Sequence, residues 1–224
     1  CSIQGVSGAA PALLIAEISQ RLSRPILIVT PDQAAADELT RELAFFHARS
    51  LAPFPSWDLT PFEAASPAPD ISGARLETLQ RLLRGEPCMV VAALPTLLQK
   101  VIPVATLRVA SLRLQPGDET DRELLLETLV TMGYANCPLV EERGTFAVRG
   151  GILDIFPPSL PRPVRIDFFG DTVETLRSFD PLSQRSQEEL ESLTLLPPRE
   201  LMMTPEILPR SEEHTSELQS RLHL

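Results

Sequence analysis

The sequence predicts an α/β protein in two parts, a parallel-sheet domain followed by a smaller α+β domain with an antiparallel sheet. In the first part, short apolar β-branched runs alternate with stretches of helical periodicity, which is typical of a parallel sheet covered by helices. In the second part, turn residues recur at short intervals, and apolar and polar residues alternate, which indicates antiparallel strands with one covered face. We place the boundary between the two parts near Gly117.

The first part begins with a helix expected over residues 13–22. The continuous apolar run Ile26–Thr30 then predicts a buried parallel strand. Asp32 is a suitable N-cap for the helix that follows, whose apolar positions extend to Phe46. After a proline-rich connection, the pattern predicts a helix over residues 71–83, a buried strand over 88–93 and a short helix that begins at Pro95.

The second part follows a predicted strand over residues 107–114 and a turn at residues 116–118. The apolar spacing then predicts a helix that ends at Gly133, because glycine favours the left-handed conformation that terminates helices. Its apolar positions are Leu124, Leu125, Leu129 and Met132. A final strand is expected over residues 193–196.

Composition limits the classes of partner. The net charge is -10, which argues against bulk attraction to nucleic acid, since that affinity comes mainly from basic residues. The three cysteines have no CxxC spacing, which favours a reducing, cytoplasmic environment over a disulfide scaffold. No apolar run approaches the ~18 residues of a membrane span, so we expect no membrane association. No catalytic constellation and no metal-binding cluster is evident in the sequence.

The strand Val164–Phe169 carries a candidate partner-binding surface. Val164, Ile166 and Phe168 form its apolar side, whereas Arg165, Asp167 and, against the pattern, Phe169 lie on the other. Upstream, Arg149 precedes a glycine pair that suits a bulge or a close approach of two backbones. Arginine and large aromatic side chains dominate protein-binding surfaces. The alternative is that the arginines are simply solvated and the aromatic ring is covered by a loop or a neighbouring domain.

The elements RGGILDIFPP, PVRIDFFGD and SFDPLSQRS closely resemble the UvrA-binding domain of the bacterial transcription-repair coupling factors, a module shared with the excision-nuclease subunit UvrB. The resemblance implies that residues 117–197 bind UvrA through Arg149, Arg165 and Phe169. It also implies that residues 1–116 form a degenerate helicase-like domain and that residues 198–209 begin a return to that domain. RNA polymerase and double-stranded DNA would be partners of other parts of such a factor, whose ATP-driven translocase is expected outside this chain.

The same resemblance directs attention to the loop before the first helix, where helicase-like domains bind ATP and magnesium through a glycine-rich phosphate loop ending in Lys and Ser or Thr. This chain keeps Gly5 and Gly8, but it has Ala10, Pro11 and Ala12 where UvrB has glycine, lysine and threonine. Pro11 brings no charge and removes a backbone N–H that could hold a phosphate. We therefore expect no cofactor and no enzymatic activity in this chain.

Two other classes of function remain open at the level of sequence. One is an ATP-dependent, damage-handling protein of the UvrB type, and the other is a DNA-binding accessory domain of a helicase. Residues 210–224 are set aside, because RSEEHTSELQS resembles the translation of a DNA-sequencing adaptor and so points to an artefactual tail.

Overall fold

The computed structural model describes residues 3–46, 50–58 and 67–200, so the expectations for residues 201–224 lie outside the described part. The chain divides into two compact units. The first comprises Cys1–Val109 and Pro158–Pro161, and the second comprises Ala110–Pro157 and Arg162–Leu224. Within the described ranges, no helix is both long and apolar enough to span a membrane.

The first unit contains a three-stranded parallel sheet with the strand order β1-β3-β2. Its elements in chain order are α1 (Ala10–Arg21), β1 (Ile26–Thr30), α2 (Gln33–Phe45), β2 (Leu51–Pro53), α3 (Pro69–Leu83), β3 (Met89–Ala93), α4 (Leu94–Leu97) and α5 (Val104–Val109). The predicted α/β character and the parallel pairing of the first strand are thereby confirmed. The predicted cap is confirmed as well, since Asp32 Oδ1 accepts a hydrogen bond of 2.8 Å from the Ala35 backbone N–H.

Two predictions for this unit are wrong. Strand β1 is not buried, because it lies at the edge of the sheet and packs only one face against a helix-covered core. On its other face, Leu27 and Val29 are 55% and 49% exposed. The strand expected over residues 107–114 is also shorter than predicted, since Val104–Val109 is helical and only Leu112–Leu114 is extended. Apolar β-branched residues in so short a segment do not distinguish a helical turn from a strand.

The second unit is built on a six-stranded sheet with the order β10-β9-β8-β7-β6-β5. All neighbouring pairs are antiparallel except β5 and β6, which are parallel. Strands β4 and β11 form a separate antiparallel pair. The elements are β4 (Leu112–Leu114), α6 (Arg122–Met132), β5 (Ala135–Asn136), β6 (Thr145–Arg149), β7 (Ile152–Ile155), β8 (Val164–Phe169), β9 (Thr172–Phe179), β10 (Ser186–Glu189) and β11 (Leu193–Leu195).

Helix α6 ends at the glycine that the sequence predicts, and a side-chain cap marks its start. Asp121 is its N-cap, and its carboxylate accepts hydrogen bonds from the backbone N–H groups of Glu123 and Leu124 at 2.9 and 3.1 Å. Gly133 ends the helix with φ +100°, the left-handed conformation that a residue with a Cβ adopts at a cost. Of the four predicted apolar positions, Leu125, Leu129 and Met132 are buried, whereas Leu124 is exposed.

One face of the six-stranded sheet supplies the core of the second unit. The apolar side predicted for β8 is confirmed, since Val164, Ile166 and Phe168 are all buried. Their partners across β7 and β9 include Leu153, opposite Ile166, and Val173, opposite Phe168. Because side chains alternate along each strand, the register places Arg165, Asp167 and Phe169 together on the opposite face.

Candidate partner-binding site

We define the arginine face as the side of the six-stranded sheet that carries the polar positions of β6, β7, β8 and β9. The register places Asp154 of β7 between Ala147 of β6 and Arg165 of β8, and Arg165 is in turn opposite Arg177 of β9. One row further along, Ile152 lies between Arg149 and Asp167. The residues of the arginine face are Ala147, Arg149, Ile152, Asp154, Arg165, Asp167, Phe169, Thr175, Arg177 and Phe179.

A buried carboxylate joins the two arginines predicted for the site. Asp154 is 0% exposed and accepts from the Nε of Arg165 at 2.7 Å and from its Nη2 at 3.0 Å. The second oxygen, Oδ2, also accepts a hydrogen bond from Nη2 of Arg149. An ionised carboxylate is expensive to bury without such partners, so each arginine stabilises Asp154 in the sheet.

The guanidinium of Arg165 is enclosed by contacts on several sides. Its Nη1 donates to the backbone carbonyl of Gln184 at 3.3 Å and to Oγ of Ser186 at 3.4 Å. The carbon at the centre of the guanidinium lies 4.8 Å from the ring centroid of Phe179, within cation–π range. These contacts leave the Arg165 side chain 16% exposed, so the sheet face is not bare at this position.

Arg149 and Phe169 are the accessible members of the predicted set. The side chain of Arg149 is 46% exposed, and Phe169 is 80% exposed at the end of β8. A two-residue turn follows Phe169, with Gly170 at φ +63° as the chain reverses into β9. The arginine face therefore carries an exposed aromatic ring and a half-exposed guanidinium.

The glycine pair behind Arg149 allows the close backbone approach expected from the sequence. Gly150 has φ +59° in the turn between β6 and β7. Gly151 accepts a hydrogen bond of 2.8 Å from the Phe168 N–H through its carbonyl oxygen. A Cβ at position 151 would lie 2.9 Å from the carbonyl oxygen of Phe168, closer than real Cβ contacts allow. Glycine at position 151 therefore permits the close approach of this backbone to strand β8 next to Phe169.

A second carboxylate on the arginine face is also held by its neighbours. Burial pushes the pKa of Asp167 upward, but the hydrogen bonds from Thr175 and Arg177 and the charges of Arg177 and Arg165 outweigh it. The net result is a pKa below the ordinary value. Thr175 Oγ1 donates to Asp167 at 2.6 Å, and Arg177 forms an ion pair with the same carboxylate. Asp167 therefore stays ionised, and its negative charge interacts with the positive charges of Arg165 and Arg177.

The sequence did not identify three residues that shape this site. Asp154 is a polar residue between apolar neighbours in LDI, and its place on the polar side of β7 was a usable signal. No local signal identifies Phe179, which lies beneath Arg165, or Gln184, whose carbonyl accepts a hydrogen bond from Arg165. Both residues reach Arg165 only because β9 pairs with β8 and the following loop folds back. Gln184 is the one described residue other than glycine with a positive φ, +60°.

The glycine loop near the start of the chain is a helix entry in the structure. Gly5 and Gly8 have φ of +77° and +61°, and helix α1 begins two residues after Gly8 with Pro11 in its first turn. Ala12, where UvrB has a hydroxyl-bearing residue, is fully buried. Within the ranges that the structure describes, no group of three or more His, Cys, Asp or Glu residues is placed to hold a metal ion.

Known proteins resemble both units in sequence. Residues 112–201 match the family model described as the UvrB interaction domain, which includes the whole arginine face. The chain is 39% identical over 99% of its length to the transcription-repair-coupling factor of Myxococcus xanthus. It is 36% identical to those of Escherichia coli, over 87% of the chain, and of Mycobacterium tuberculosis, over 93%.

The chain spans only 17–19% of the length of these three relatives. The likeness nevertheless covers both units, and the resemblance inferred from the sequence motifs is confirmed. The chain thus belongs, over the part of the protein that it spans, to the transcription-repair-coupling factor family, and it carries that family's UvrB interaction domain.

Proposed function

We propose that the second unit is a docking module that recruits UvrA through the arginine face, and that Arg149, Arg165 and Phe169 make the contact. The observation that carries this proposal is the exposed ring of Phe169 on the same face as two arginines anchored by a buried carboxylate. Arginines on a partly desolvated surface suit carboxylates on a partner, and an exposed aromatic ring suits a shallow apolar pocket. Truncating one of these side chains should cost about 1–4 kcal/mol of binding free energy if it is a hot spot.

The test is a titration of purified UvrA with the whole chain and its variants. Arg149→Glu and Phe169→Ala should each weaken binding by at least about tenfold, which corresponds to ~1.4 kcal/mol. Arg113→Glu is the matched control, because Arg113 is an exposed arginine on β4, outside the six-stranded sheet. Undiminished binding by both arginine-face variants would refute the proposal, as would an equal loss in the control.

We further propose that the first unit is a degenerate helicase-like domain that binds no nucleotide and catalyses no reaction. Pro11 in the first turn of α1 supports this view, since proline lacks both the charge and the N–H that a phosphate loop uses. ATP-driven translocation, and contact with RNA polymerase and double-stranded DNA, would then reside in the other four fifths of such a factor. Calorimetry with ATP and Mg²⁺ tests this: measurable binding would favour the UvrB-like alternative.

A DNA-binding accessory function makes a different prediction. It requires affinity that falls steeply with salt, with a slope set by the number of phosphate contacts. The net charge of -10 opposes such contacts. A salt titration with a labelled duplex separates the two proposals, and we expect no specific binding at physiological ionic strength.

A further inference from the structure

Asp154 differs from Asp167, the other carboxylate of the arginine face, in where it lies and in what it contacts. It is completely buried, and both of its oxygens are used by the two arginines of the proposed contact. Asp167, by comparison, is partly exposed and is hydrogen-bonded to Thr175 and Arg177. Asp154 is therefore the carboxylate through which Arg149 and Arg165 are linked.

The contacts of Arg165 leave its guanidinium little freedom. Its Nε and Nη2 donate hydrogen bonds to Asp154, and its Nη1 donates to the Gln184 carbonyl and to Ser186. The guanidinium also lies over the ring of Phe179. A free arginine side chain loses considerable rotamer entropy when a partner immobilises it. Arg165 has lost most of that freedom before any partner binds, so binding through Arg165 involves little further loss of rotamer entropy.

Arg149 is held differently. One of its nitrogens is hydrogen-bonded to Asp154, while nearly half of the side chain remains accessible. Two guanidinium charges and one carboxylate leave a net charge of +1 on the three residues. Asp154 therefore lowers the positive charge that the site presents while it increases the order of the groups that carry it, and the two effects on binding have opposite signs.

We propose that Asp154 is a positioning residue of the partner-binding site, which orients Arg149 and Arg165 for an acidic protein surface and contributes to binding through their order rather than through charge. This inference rests on the proposed function of the arginine face. Its distinctive consequence is kinetic. Removing the charge of Asp154 should leave the electrostatic approach of an acidic partner unharmed or faster, while the complex, once formed, should dissociate sooner.

The experiment measures association and dissociation rate constants of the whole chain with purified UvrA at two ionic strengths. Asp154→Asn should raise the dissociation rate constant by about tenfold or more, with no decrease in the association rate constant and a steeper salt dependence. Glu127→Gln is the matched control, since it neutralises an exposed carboxylate on α6, outside the six-stranded sheet, and it should change dissociation by less than about threefold. Circular dichroism establishes that each variant is folded.

The outcomes separate this inference from the proposed function. Tighter or unchanged binding by folded Asp154→Asn would overturn the positioning role, and so would an equal loss in Glu127→Gln. If Asp154→Asn does not fold, Asp154→Glu decides, because glutamate keeps the charge but shifts the carboxylate out of its contacts with both arginines. Faster dissociation of folded Asp154→Glu, with the salt dependence of the wild type, supports the inference, and wild-type dissociation rejects it. Absence of binding by the wild-type chain, or full binding by Arg149→Glu and Phe169→Ala, rejects the proposed function itself.

Discussion

The two glycines that follow Arg149 are required for different physical reasons, and substitution separates them. Gly151 is constrained by contact, since an added Cβ would lie 2.9 Å from the carbonyl oxygen of Phe168. That oxygen belongs to a strand paired on both sides, so it cannot move without disturbing its ladder. Gly150 has open space around it but a φ of +59°. Its constraint is therefore conformational.

The magnitudes follow from these constraints. We expect Gly151→Ala to lower the free energy of unfolding by about 1–3 kcal/mol, the usual cost of overpacking a fixed contact. Gly150→Ala should cost about 1–2 kcal/mol, the penalty for a left-handed residue with a Cβ. Asparagine tolerates that conformation, so Gly150→Asn should recover part of the loss, whereas Gly151→Asn should recover none.

The assay is urea denaturation of the whole chain followed by far-UV circular dichroism, with hydrogen exchange of peptides from β7 and β8 to localise the effect. Because the chain has two units, exchange rates in these strands are the safer measure of local stability. Wild-type stability and wild-type exchange in Gly151→Ala would show that the strands can separate freely at this point. The close-contact explanation would then be incorrect.

Three further perturbations test the fold and its electrostatics. The pKa of Asp167 is lowered in the folded protein, so the ionised carboxylate stabilises the fold fully above the unfolded pKa of about 3.9, and this stabilisation is lost as the pH falls through the folded pKa. Asp167→Asn should therefore be less stable than the wild type at pH 7. The difference in stability should shrink in denaturation curves measured from pH 7 to pH 2. Asp121→Ala removes both capping hydrogen bonds at the start of α6 and should lower the free energy of unfolding by about 0.5–2 kcal/mol, measured as a lower urea midpoint. An unchanged midpoint would mean that water replaces the cap. Leu129→Ala, at a fully buried position of the same helix, should cost about 2–5 kcal/mol in the same assay, and a loss below 1 kcal/mol would contradict its assignment to the core.

Features that depend on one strand or one helix could be predicted from the sequence. Alternation along β8 identifies the buried side through Val164, Ile166 and Phe168, and therefore also the side that carries Arg165 and Phe169. Local chemistry identifies the end of α6, because a left-handed glycine requires only neighbouring residues. These predictions succeeded because the residues that determine the outcome are close together in the chain.

Features that depend on pairing between distant segments could not be predicted. The exposure of Leu27 and Val29 follows from the position of β1 at the edge of its sheet, which its apolar composition does not reveal. The enclosure of Arg165 follows from the register that brings Asp154 opposite it and from the loop that brings Gln184 to it. The sequence predicts that Arg165 lies on the polar face, but only the sheet shows that the arginine is already engaged there.

The most direct measurement of the proposed recruitment is hydrogen exchange of the whole chain with and without purified UvrA. We expect protection in the peptides that contain Arg149, Arg165 and Phe169, together with the turn at Gly170, and no change in strands β1 to β3 of the first unit. Protection confined to the first unit, or exchange in β6 to β9 that is the same with and without UvrA, would contradict the assignment of the arginine face as the binding surface.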